Sequence, residues 1–350
     1  MKKKVTVIGY GGQGGWHAAH ALESDVVSLL GIYDIDEAKI KLAESRGIKT
    51  YGSLDDALSD PECDIVVVAT PNDVHKEIVV KALEAGKNVI CEKPVEMSVS
   101  AFDEMIAAKK KSGKLLSVHQ NRRWDVDYLA MKNVIESGEI GEVIRIESRI
   151  HGSRGIPSDW RCHKPQGGGM ILDWGVHLID QMLMLIPENI VKVQCDVTNI
   201  TTDEVDDGFR LNLYFESGKT AYVEVGTFNF LPLPRFYMLC KGGSAKIEDW
   251  RQNCRVAKCL AWHESDVVPV QTAAGITKTM APRDEITLKV YEKERPVSDV
   301  HDFYRNFVKA IDGKEEQLIK LSESRRVMAV MEACFKSAEL GVAIDFEYDR

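Results

Sequence analysis

The chain has 350 residues, which is too long for one small domain and suggests two domains of about 150 residues each. Its hydrophobic fraction of 44% and charged fraction of 28% are typical of a globular protein that can bury a sizeable core. The formal net charge of −9 argues against nucleic acid or an anionic membrane as the main partner.

The 8 cysteines include no Cys-x-x-Cys pair, and most lie in apolar segments. They are therefore predicted to be reduced thiols of a cytoplasmic protein, with neither a disulfide framework nor a metal site. The lysines at positions 2–4 resemble the start of a signal peptide, but the apolar run after them meets glycine too soon. No stretch approaches the ~20 apolar residues that a membrane span needs.

The first predicted element is a buried strand over residues 5–8, followed by the loop Gly9-Tyr10-Gly11-Gly12-Gln13-Gly14. A helix is predicted over residues 16–23 and a second strand over 27–33, directly before Asp34. Strand, glycines, helix, strand and acid in this order form the dinucleotide-binding fingerprint. A glycine-rich turn without a ligand is the competing interpretation.

Each glycine has a predicted role in that fingerprint. Gly9 makes the tight turn, Gly11 lets the backbone approach a pyrophosphate, and Gly14 allows the helix to pack closely on the strand. Gly12 and Gln13 of the same loop are also expected to bind the cofactor, because the N-terminus of the helix that follows is expected to face the phosphates.

Asp34 indicates which dinucleotide is bound. A carboxylate at the end of the second strand accepts hydrogen bonds from a ribose 2′-OH and repels a 2′-phosphate. Neither Ile35 nor Asp36 supplies a cation for that phosphate, so NAD is expected to be preferred over NADP. The alternative is that Asp34 only caps the helix that begins near Glu37.

Further strands are predicted over residues 64–69, 88–91 and 115–119, alternating with helices over 74–85 and 100–111. Such alternation predicts a parallel, doubly wound sheet whose ligands lie beyond the carboxyl ends of the strands. Four polar residues are expected to converge there on the cofactor: Asp34, Asn72, Lys93 and Asn121.

The pattern changes after about Arg122, so residues 1–121 are predicted to form the dinucleotide-binding Rossmann domain and residues 122–350 a second domain. Alternating strands indicate that this second domain is α+β with an open, mainly antiparallel sheet. Two final helices, over 300–311 and 322–340, are expected to pack back near the first domain. The strands are predicted over residues 143–150, 191–199, 209–215, 220–227 and 236–240.

The segment 167–180 begins with three glycines and places Asp173, His177 and Asp180 at i, i+4 and i+7. On a helix these side chains share one face. An Asp one turn before a His can hold the imidazole in one tautomer, which suits a general base. A half-buried helix whose His is satisfied by its neighbour is the alternative. Asp180 is expected to be structural.

The glycine loop, the segments 70–72 and 92–94, and the segment 167–180, in this order and spacing, closely resemble the Gfo/Idh/MocA oxidoreductase family. Its members include inositol 2-dehydrogenase and glucose–fructose oxidoreductase. The resemblance covers essentially the whole chain. It implies hydride transfer between NAD and a secondary hydroxyl of a sugar, inositol or related polyol.

By this resemblance Lys93 is the catalytic lysine, and Asp173 and His177 are the catalytic pair. His177 is expected to take the hydroxyl proton, Asp173 to orient His177, and the Lys93 ammonium to stabilise the developing alkoxide. The same three residues are expected to bind substrate together with Arg123 and His163.

The resemblance also adds residues to the expected cofactor site. An Arg can clamp hydroxyls or phosphate, and a Trp can cover a nicotinamide or sugar face. For Arg123 a second role, joining the two domains, stays open. His119 and His151 are interpreted as ordinary strand residues. The added cofactor residues are Thr70, Pro71, His75, Glu92, Trp160 and Arg161.

Two other functions would use the same residues. One is a glycoside-cleaving enzyme that transiently oxidises the sugar with resident NAD. The other is a non-catalytic NAD-binding regulator, although such relatives usually lose the Lys or the His that this chain keeps at Lys93 and His177.

The second-domain sheet also predicts an assembly. Its alternating apolar residues, as in 221–225, and its few helices suggest an uncovered apolar face, which marks an interface. A homodimer or homotetramer with sheet-on-sheet contact is therefore expected, as the resemblance also implies.

Overall fold

The computed structural model describes residues 1–261, 268–283 and 285–348, and its first half is built on a parallel sheet. The strands of this sheet are β1 (Lys3–Ile8), β2 (Val27–Tyr33), β3 (Ile65–Val68), β4 (Asn88–Cys91) and β5 (Leu116–Val118). They lie in the order β2-β1-β3-β4-β5, with every neighbouring pair parallel.

The strand order places a ligand-binding crevice. The chain leaves β1 toward β2 on one side and builds β3, β4 and β5 on the other side. Loops on opposite faces therefore separate above β1 and β3, which is where doubly wound sheets bind their ligands. The side chains of β3 are all buried apolar residues, as expected of a strand covered on both faces.

Helices alternate with these strands, and their starts follow from capping residues. Asp36, Ser53 and Ser98 each accept a hydrogen bond from a backbone N–H in the first turn of the following helix. The first helix begins at Gly12 inside the glycine loop, earlier than the sequence predicted. The helices are α1 (Gly12–Glu23), α2 (Glu37–Ser45), α3 (Leu54–Ser59), α4 (His75–Glu84) and α5 (Val99–Ser112).

The second half forms an open, mostly antiparallel sheet, so the predicted fold class is confirmed. The strands are β6 (Val143–His151), β7 (Ile190–Thr198), β8 (Gly208–Phe215), β9 (Thr220–Gly226), β10 (Phe236–Cys240), β11 (Gly243–Ile247), β12 (Cys254–Cys259), β15 (Leu288–Lys293) and β16 (Ile344–Asp345), with a separate hairpin of β13 (Val270–Thr272) and β14 (Gly275–Thr277). Their order in the sheet is β15-β12-β11-β10-β6-β9-β8-β7-β16, and β6 and β9 are the parallel pair.

Four helices belong to the second half, and they pack in two places. They are α6 (Val126–Ser137), α7 (Val176–Leu185), α8 (Asp302–Ile311) and α9 (Leu321–Leu340). Helices α6, α7 and α9 share one core with the large sheet. Helix α8 instead buries Phe303, Tyr304 and Phe307 against Val5 and Val7 of β1, so a late segment of the chain completes the N-terminal core.

The apolar residues that suggested an uncovered face of the second-domain sheet are those of β9. In β9, Ala221, Val223 and Val225 are buried on the helix-covered side, because α7 and α9 pack there. Tyr222 and Glu224 point to the other face and are half-buried. The outer face of the sheet is therefore polar at these two positions of β9.

Two further structural expectations concern the whole chain. All 8 cysteines are free thiols in the structure. Among the helices of the described ranges, none combines the length and the apolar character that crossing a bilayer requires.

Candidate active site

The glycine loop forms an open cradle at the N-terminus of α1. Gly9 has a φ of 89°, and a Cβ on Gly14 would lie 1.7 Å from the Gly9 carbonyl oxygen, so both positions require glycine. A Cβ on Gly11 or Gly12 would meet nothing within 4 Å. The exposed backbone from Gly11 to Gln13 therefore fits an anionic pyrophosphate.

Asp34 is held at the edge of this cradle by two backbone amides. Tyr10 N–H donates to Oδ2 at 2.6 Å, and Asp36 N–H donates to Oδ1 at 2.9 Å. The cap of α2 is Asp36, which accepts from Ala38 N–H, so Asp34 is not the cap. The structure also brings in a cation that sequence adjacency did not show, because Arg46 donates to the Tyr10 hydroxyl at 3.1 Å.

Residues after β3 and β5 leave polar atoms unpaired at the crevice. Within the described residues, Thr70 Oγ1 and Asn121 Oδ1 are buried and have no hydrogen-bond partner. Buried polar groups are nearly always paired, so these atoms fit a ligand that supplies the missing contacts. Together with the glycine cradle they make the residues present compatible with a dinucleotide.

Other expected cofactor residues have protein partners instead. Asn72, which follows Pro71, donates to the Gly167 carbonyl at 3.0 Å and so joins the two domains. The buried His75 ring lies between two carbonyl oxygens, 2.9 Å from that of Thr70 and 3.1 Å from that of Pro94. Burial lowers the pKa of His75, and its contacts hold the loop that carries Lys93.

Lys93 meets Asp173 across the domain boundary. Its Nζ donates to the Asp173 carbonyl oxygen at 2.9 Å and to Oδ1 at 3.0 Å. The other carboxylate oxygen accepts from Arg161 Nε at 3.2 Å. Burial acts to raise the pKa of Asp173, but Lys93 and Arg161 outweigh it and hold that pKa below its usual range. Asp173 is therefore an anion between two cations.

The expected hydrogen bond between Asp173 and His177 is absent from the described part of the chain. Both Asp173 oxygens have other donors, and His177 Nδ1 is buried without a partner. The physical reason is charge, since two cations attract the carboxylate more strongly than a neutral imidazole does. Asp173 also lies in a π-helical turn, Ile171–Gly175, and α7 begins after that turn.

His177 is held in its neutral form. Burial is the main cause that lowers its pKa well below the ordinary value, and the nearby charges of Lys93 and Arg122 lower it further. A neutral imidazole has a free lone pair and can accept a proton.

Glu92 is buried in a cluster that the sequence analysis missed. His17 Nε2 and His119 Nδ1 each lie 2.7 Å from Glu92 Oε1. Glu92 Oε1 therefore has protein partners, and the predicted cofactor contact of Glu92 stays a prediction. One signal was available: Glu92 and His119 directly follow β4 and β5, which are neighbouring parallel strands. Their ligand atoms and that of His17 lie within 4.8 Å of one another, a spacing that a metal ion could use.

Arg123 is buried in ion pairs and is not placed for substrate. It makes two contacts with the Asp180 carboxylate, at 2.6 and 2.8 Å, and one with Glu323 at 2.8 Å. Burial opposes the charge of Arg123, but the two acids raise its pKa above the ordinary value. The arrangement ties the domain junction to α7 and α9 and gives Asp180 its structural partner.

The loop before the π-helical turn and α7 carries the remaining predicted residues. Arg161 stacks on Trp160, with 4.6 Å between the guanidinium carbon and the ring centroid, and also pairs with Asp159 at 2.8 Å. His163 lies on the exposed side of the loop and contacts Glu204 at 3.4 Å. No contact among the described residues joins His163 to Lys93.

Arg122 contacts two tryptophan rings beside α7, an arrangement that the sequence did not predict. The Arg122 guanidinium carbon is 4.2 Å from the ring centroid of Trp174 and 5.4 Å from that of Trp250. The Trp174 ring is 6.0 Å from His177. These side chains form an aromatic wall next to the proposed base.

The fold and the site define a two-domain oxidoreductase with a dinucleotide-binding Rossmann domain. The NAD-binding Rossmann fold of the Gfo/Idh/MocA oxidoreductase family matches residues 3–120, and the C-terminal domain of that family matches residues 128–246. The chain belongs to this family, as its sequence motifs indicated.

Three relatives illustrate the similarity. An NAD-binding protein from Listeria innocua, with a crystal structure, is 40% identical, covers 99% of each chain and has a TM-score of 0.95. An uncharacterised oxidoreductase of Schizosaccharomyces pombe is 40% identical over 194 residues, or 53% of each chain. Myo-inositol 2-dehydrogenase of Thermotoga maritima is 30% identical over 230 residues, 63% of this chain and 67% of that protein. The chain spans about half the length of the first curated relatives it matches.

Proposed function

We propose that the protein transfers a hydride between NAD and a secondary hydroxyl of a sugar, inositol or related polyol. The observation that carries the proposal is the Lys93 ammonium, which spends two of its three N–H donors on Asp173, at 2.9 and 3.0 Å. The third donor is left for a substrate oxygen, and the Lys93 side chain is 12% exposed.

The chain's own residues account for the proton and the charge. Neutral His177 accepts the proton of the hydroxyl, and the Lys93 ammonium stabilises the negative charge that develops on oxygen. Asp173, held by Arg161, orients Lys93 and not His177, a role that its contacts with Lys93 and Arg161 support. Bound NAD supplies the hydride acceptor at the carbon that is oxidised.

NAD is the proposed cofactor in preference to NADP. Two backbone amides fix the Asp34 carboxylate at the edge of the cradle, where it accepts hydrogen bonds from ribose hydroxyls and repels a 2′-phosphate. Arg46 at the Tyr10 hydroxyl acts in the opposite direction, so the preference is a balance between one anion and one cation.

The experiment is a substrate screen that follows NADH absorbance with NAD present. Inositols come first, because the relative from Thermotoga maritima is a myo-inositol 2-dehydrogenase, and hexoses, amino sugars and uronic acids follow. We expect at least one cyclic polyol to give substrate-dependent NADH. No NADH with any member, from protein that binds NADH, would refute the proposal.

The same screen separates oxidation from glycoside cleavage. A dehydrogenase releases one NADH for each substrate oxidised, whereas transient oxidation releases an aglycone with no net NADH. We expect the stoichiometric result with free polyols and no aglycone release from aryl glycosides.

We also propose a homodimer or homotetramer that buries the outer face of the large sheet. That face carries half-buried charged and aromatic side chains, among them Arg149, Tyr222 and Glu224, which contact one another. Light scattering at micromolar concentration should give a multiple of 39.2 kDa. A mass equal to one chain would refute it. A cytoplasmic location stays a prediction.

A further inference from the structure

Four buried side chains from four separate segments form one hydrogen-bond network beneath the loop that carries Lys93. Tyr304 of α8 contacts His17 Nδ1 of α1 through its hydroxyl. His17 Nε2 and His119 Nδ1 both contact Glu92 Oε1, each at 2.7 Å. Tyr304 and His17 meet in this network although they lie 287 positions apart in the sequence.

The positions of the protons follow from the chemistry of the groups. An ionised carboxylate only accepts, so His17 must carry its proton on Nε2 and His119 on Nδ1. His17 Nδ1 is then an acceptor, and the Tyr304 hydroxyl donates to it. The two histidine N–H groups therefore donate to Glu92, and the Tyr304 hydroxyl donates to His17.

This arrangement lets Glu92 remain charged although it is buried. An unpaired carboxylate inside a protein takes up a proton, but one that receives several hydrogen bonds stays ionised. Burial acts to raise the pKa of Glu92, and His119 and His17 outweigh it and hold that pKa well below the ordinary value. Burial is also the main cause that lowers the pKa of His17, to about 4.

The second oxygen of Glu92 reaches the catalytic loop. Lys93 N–H donates to Glu92 Oε2 at 3.2 Å, directly before the side chain that meets Asp173. On the other side of Lys93, the Pro94 carbonyl contacts His75 at 3.1 Å. The backbone of Lys93 is therefore held from both sides by buried groups.

We propose that His17, His119 and Tyr304 are positioning residues for Lys93, which act by locking the Glu92 carboxylate against the Lys93 backbone. The inference deepens the proposed function, and it rests on that function only for its effect on turnover. Helix α8 of the C-terminal segment would thus stabilise a catalytic loop of the Rossmann domain.

The first test needs no substrate. Reductive methylation followed by mass spectrometry compares labelling of Lys93 with that of Lys76, whose ammonium pairs with Glu104 on the surface. Replacing His119→Leu removes a donor to Glu92, and we expect relative labelling of Lys93 to rise about fivefold, as about 1 kcal/mol of lost hydrogen bonding gives. His119→Asn keeps a donor near the position of Nδ1 and should restore the wild-type ratio.

Tyr304→Phe is the milder variant, and it keeps the inference testable where His119→Leu does not fold. Its matched control is Tyr51→Phe, which removes another buried hydroxyl, bonded to Asp60 at 2.8 Å. We expect Tyr304→Phe to raise the labelling ratio of Lys93 and Tyr51→Phe to leave it unchanged. Equal labelling in wild type, His119→Leu and Tyr304→Phe would overturn the inference.

The second test measures turnover on a substrate from the screen. For Tyr304→Phe we expect kcat to fall about fivefold while KM and the dissociation constant of NADH stay close to wild type. A parallel loss of kcat in Tyr51→Phe would mean general destabilisation and would contradict the proposal. Zinc bound stoichiometrically by purified protein would also overturn it, because the Glu92 and histidine atoms would then be metal ligands. If wild type oxidises no substrate, the proposed function fails while the labelling test still decides the inference.

Discussion

The glycine cradle and the Lys93 site form the two halves of one crevice, but they are built in different ways. In the cradle, contacts join residues that are nearer in sequence: Gly14 approaches Gly9, and Tyr10 contacts Asp34, 24 positions further on. In the Lys93 site, the central ion pair joins residues 80 positions apart, Lys93 and Asp173.

This difference explains which of the predicted contacts the structure contains. Backbone geometry in the cradle follows from local glycine spacing, so each predicted glycine lies where the fingerprint requires. In the Lys93 site, cations from several segments lie near the carboxylates, and the packing of those segments decides which pairs form. Asp173 consequently binds Lys93 and Arg161 in place of His177, the partner that helical spacing suggested. Asp180 binds Arg123.

The largest expected effect is on the Lys93 half. Lys93→Met should lower kcat by about 10³, since removing one stabilising donor from a developing oxyanion costs about 2.7–4 kcal/mol. NADH affinity should change by less than about twofold, because the interaction is realised mainly in the transition state. Lys76→Met, which removes an exposed ion pair with Glu104, is the control. Wild-type kcat in Lys93→Met would remove the distinction between the two halves.

A single added methyl group, in Gly14→Ala, tests whether the cradle needs its close backbone approach. In Gly14→Ala the new Cβ would lie 1.7 Å from the Gly9 carbonyl oxygen, so the loop must shift. We expect NADH to bind about 30-fold more weakly in fluorescence titrations, from about 2 kcal/mol of overpacking. Gly15→Ala, whose Cβ meets nothing within 4 Å, should bind NADH as wild type does. Equal affinities in the two variants would show that the close approach is not required.

Asp206 supports the π-helical turn that precedes α7, and its protonation is expected to affect stability. Its Oδ2 accepts from Ile171 N–H at 2.7 Å, at the start of the π-helical turn, and burial raises its pKa to about 7. Because the folded-state pKa lies above the unfolded value, this group stabilises the fold at low pH, and the contribution is lost as pH rises from about 4 through 7.

The measurement is urea unfolding at pH 5 and pH 8.5. We expect wild type to lose about 2 kcal/mol of unfolding free energy from this group between the two values. Asp206→Asn should lose less, since its amide has no charge to bury. Asp203→Asn, an exposed neighbour, should keep the wild-type pH dependence. Identical pH dependence in wild type and Asp206→Asn would contradict the prediction.

The smallest expected effect concerns cofactor choice. Wild type should bind NAD at least about tenfold more tightly than NADP, which corresponds to about 1.4 kcal/mol. Asp34→Ala should reduce that ratio toward unity, because it removes the anion and leaves Arg46. Asp36→Ala removes the cap of α2 and should cost about 1 kcal/mol of stability without changing the ratio. The measurement is the dissociation constants of NAD and NADP for wild type and both variants at one ionic strength.

Much of the fold was accessible from the sequence, because buried strands and their glycine or polar boundaries are local signals. The helix starts were less accessible: α1 begins at Gly12 since the glycine loop itself is helical from that point. The strands beyond Cys240 were not predicted. Among them, β11 and β12 pack on α6, and β15 is held by pairing with β12, so these strands depend on distant partners. The cluster around Glu92 was missed because Tyr304 and His17 carry no local signature of their partners.

The amino-acid sequence by itself determined the parallel N-terminal sheet and the glycine cradle, since periodicity and glycine spacing act over a few residues. Only the tertiary structure decided which charges meet. Asp173 pairs with Lys93, Arg123 with Asp180, and two histidines with Glu92, because a buried ion is stable only beside partners that the packed elements bring to it.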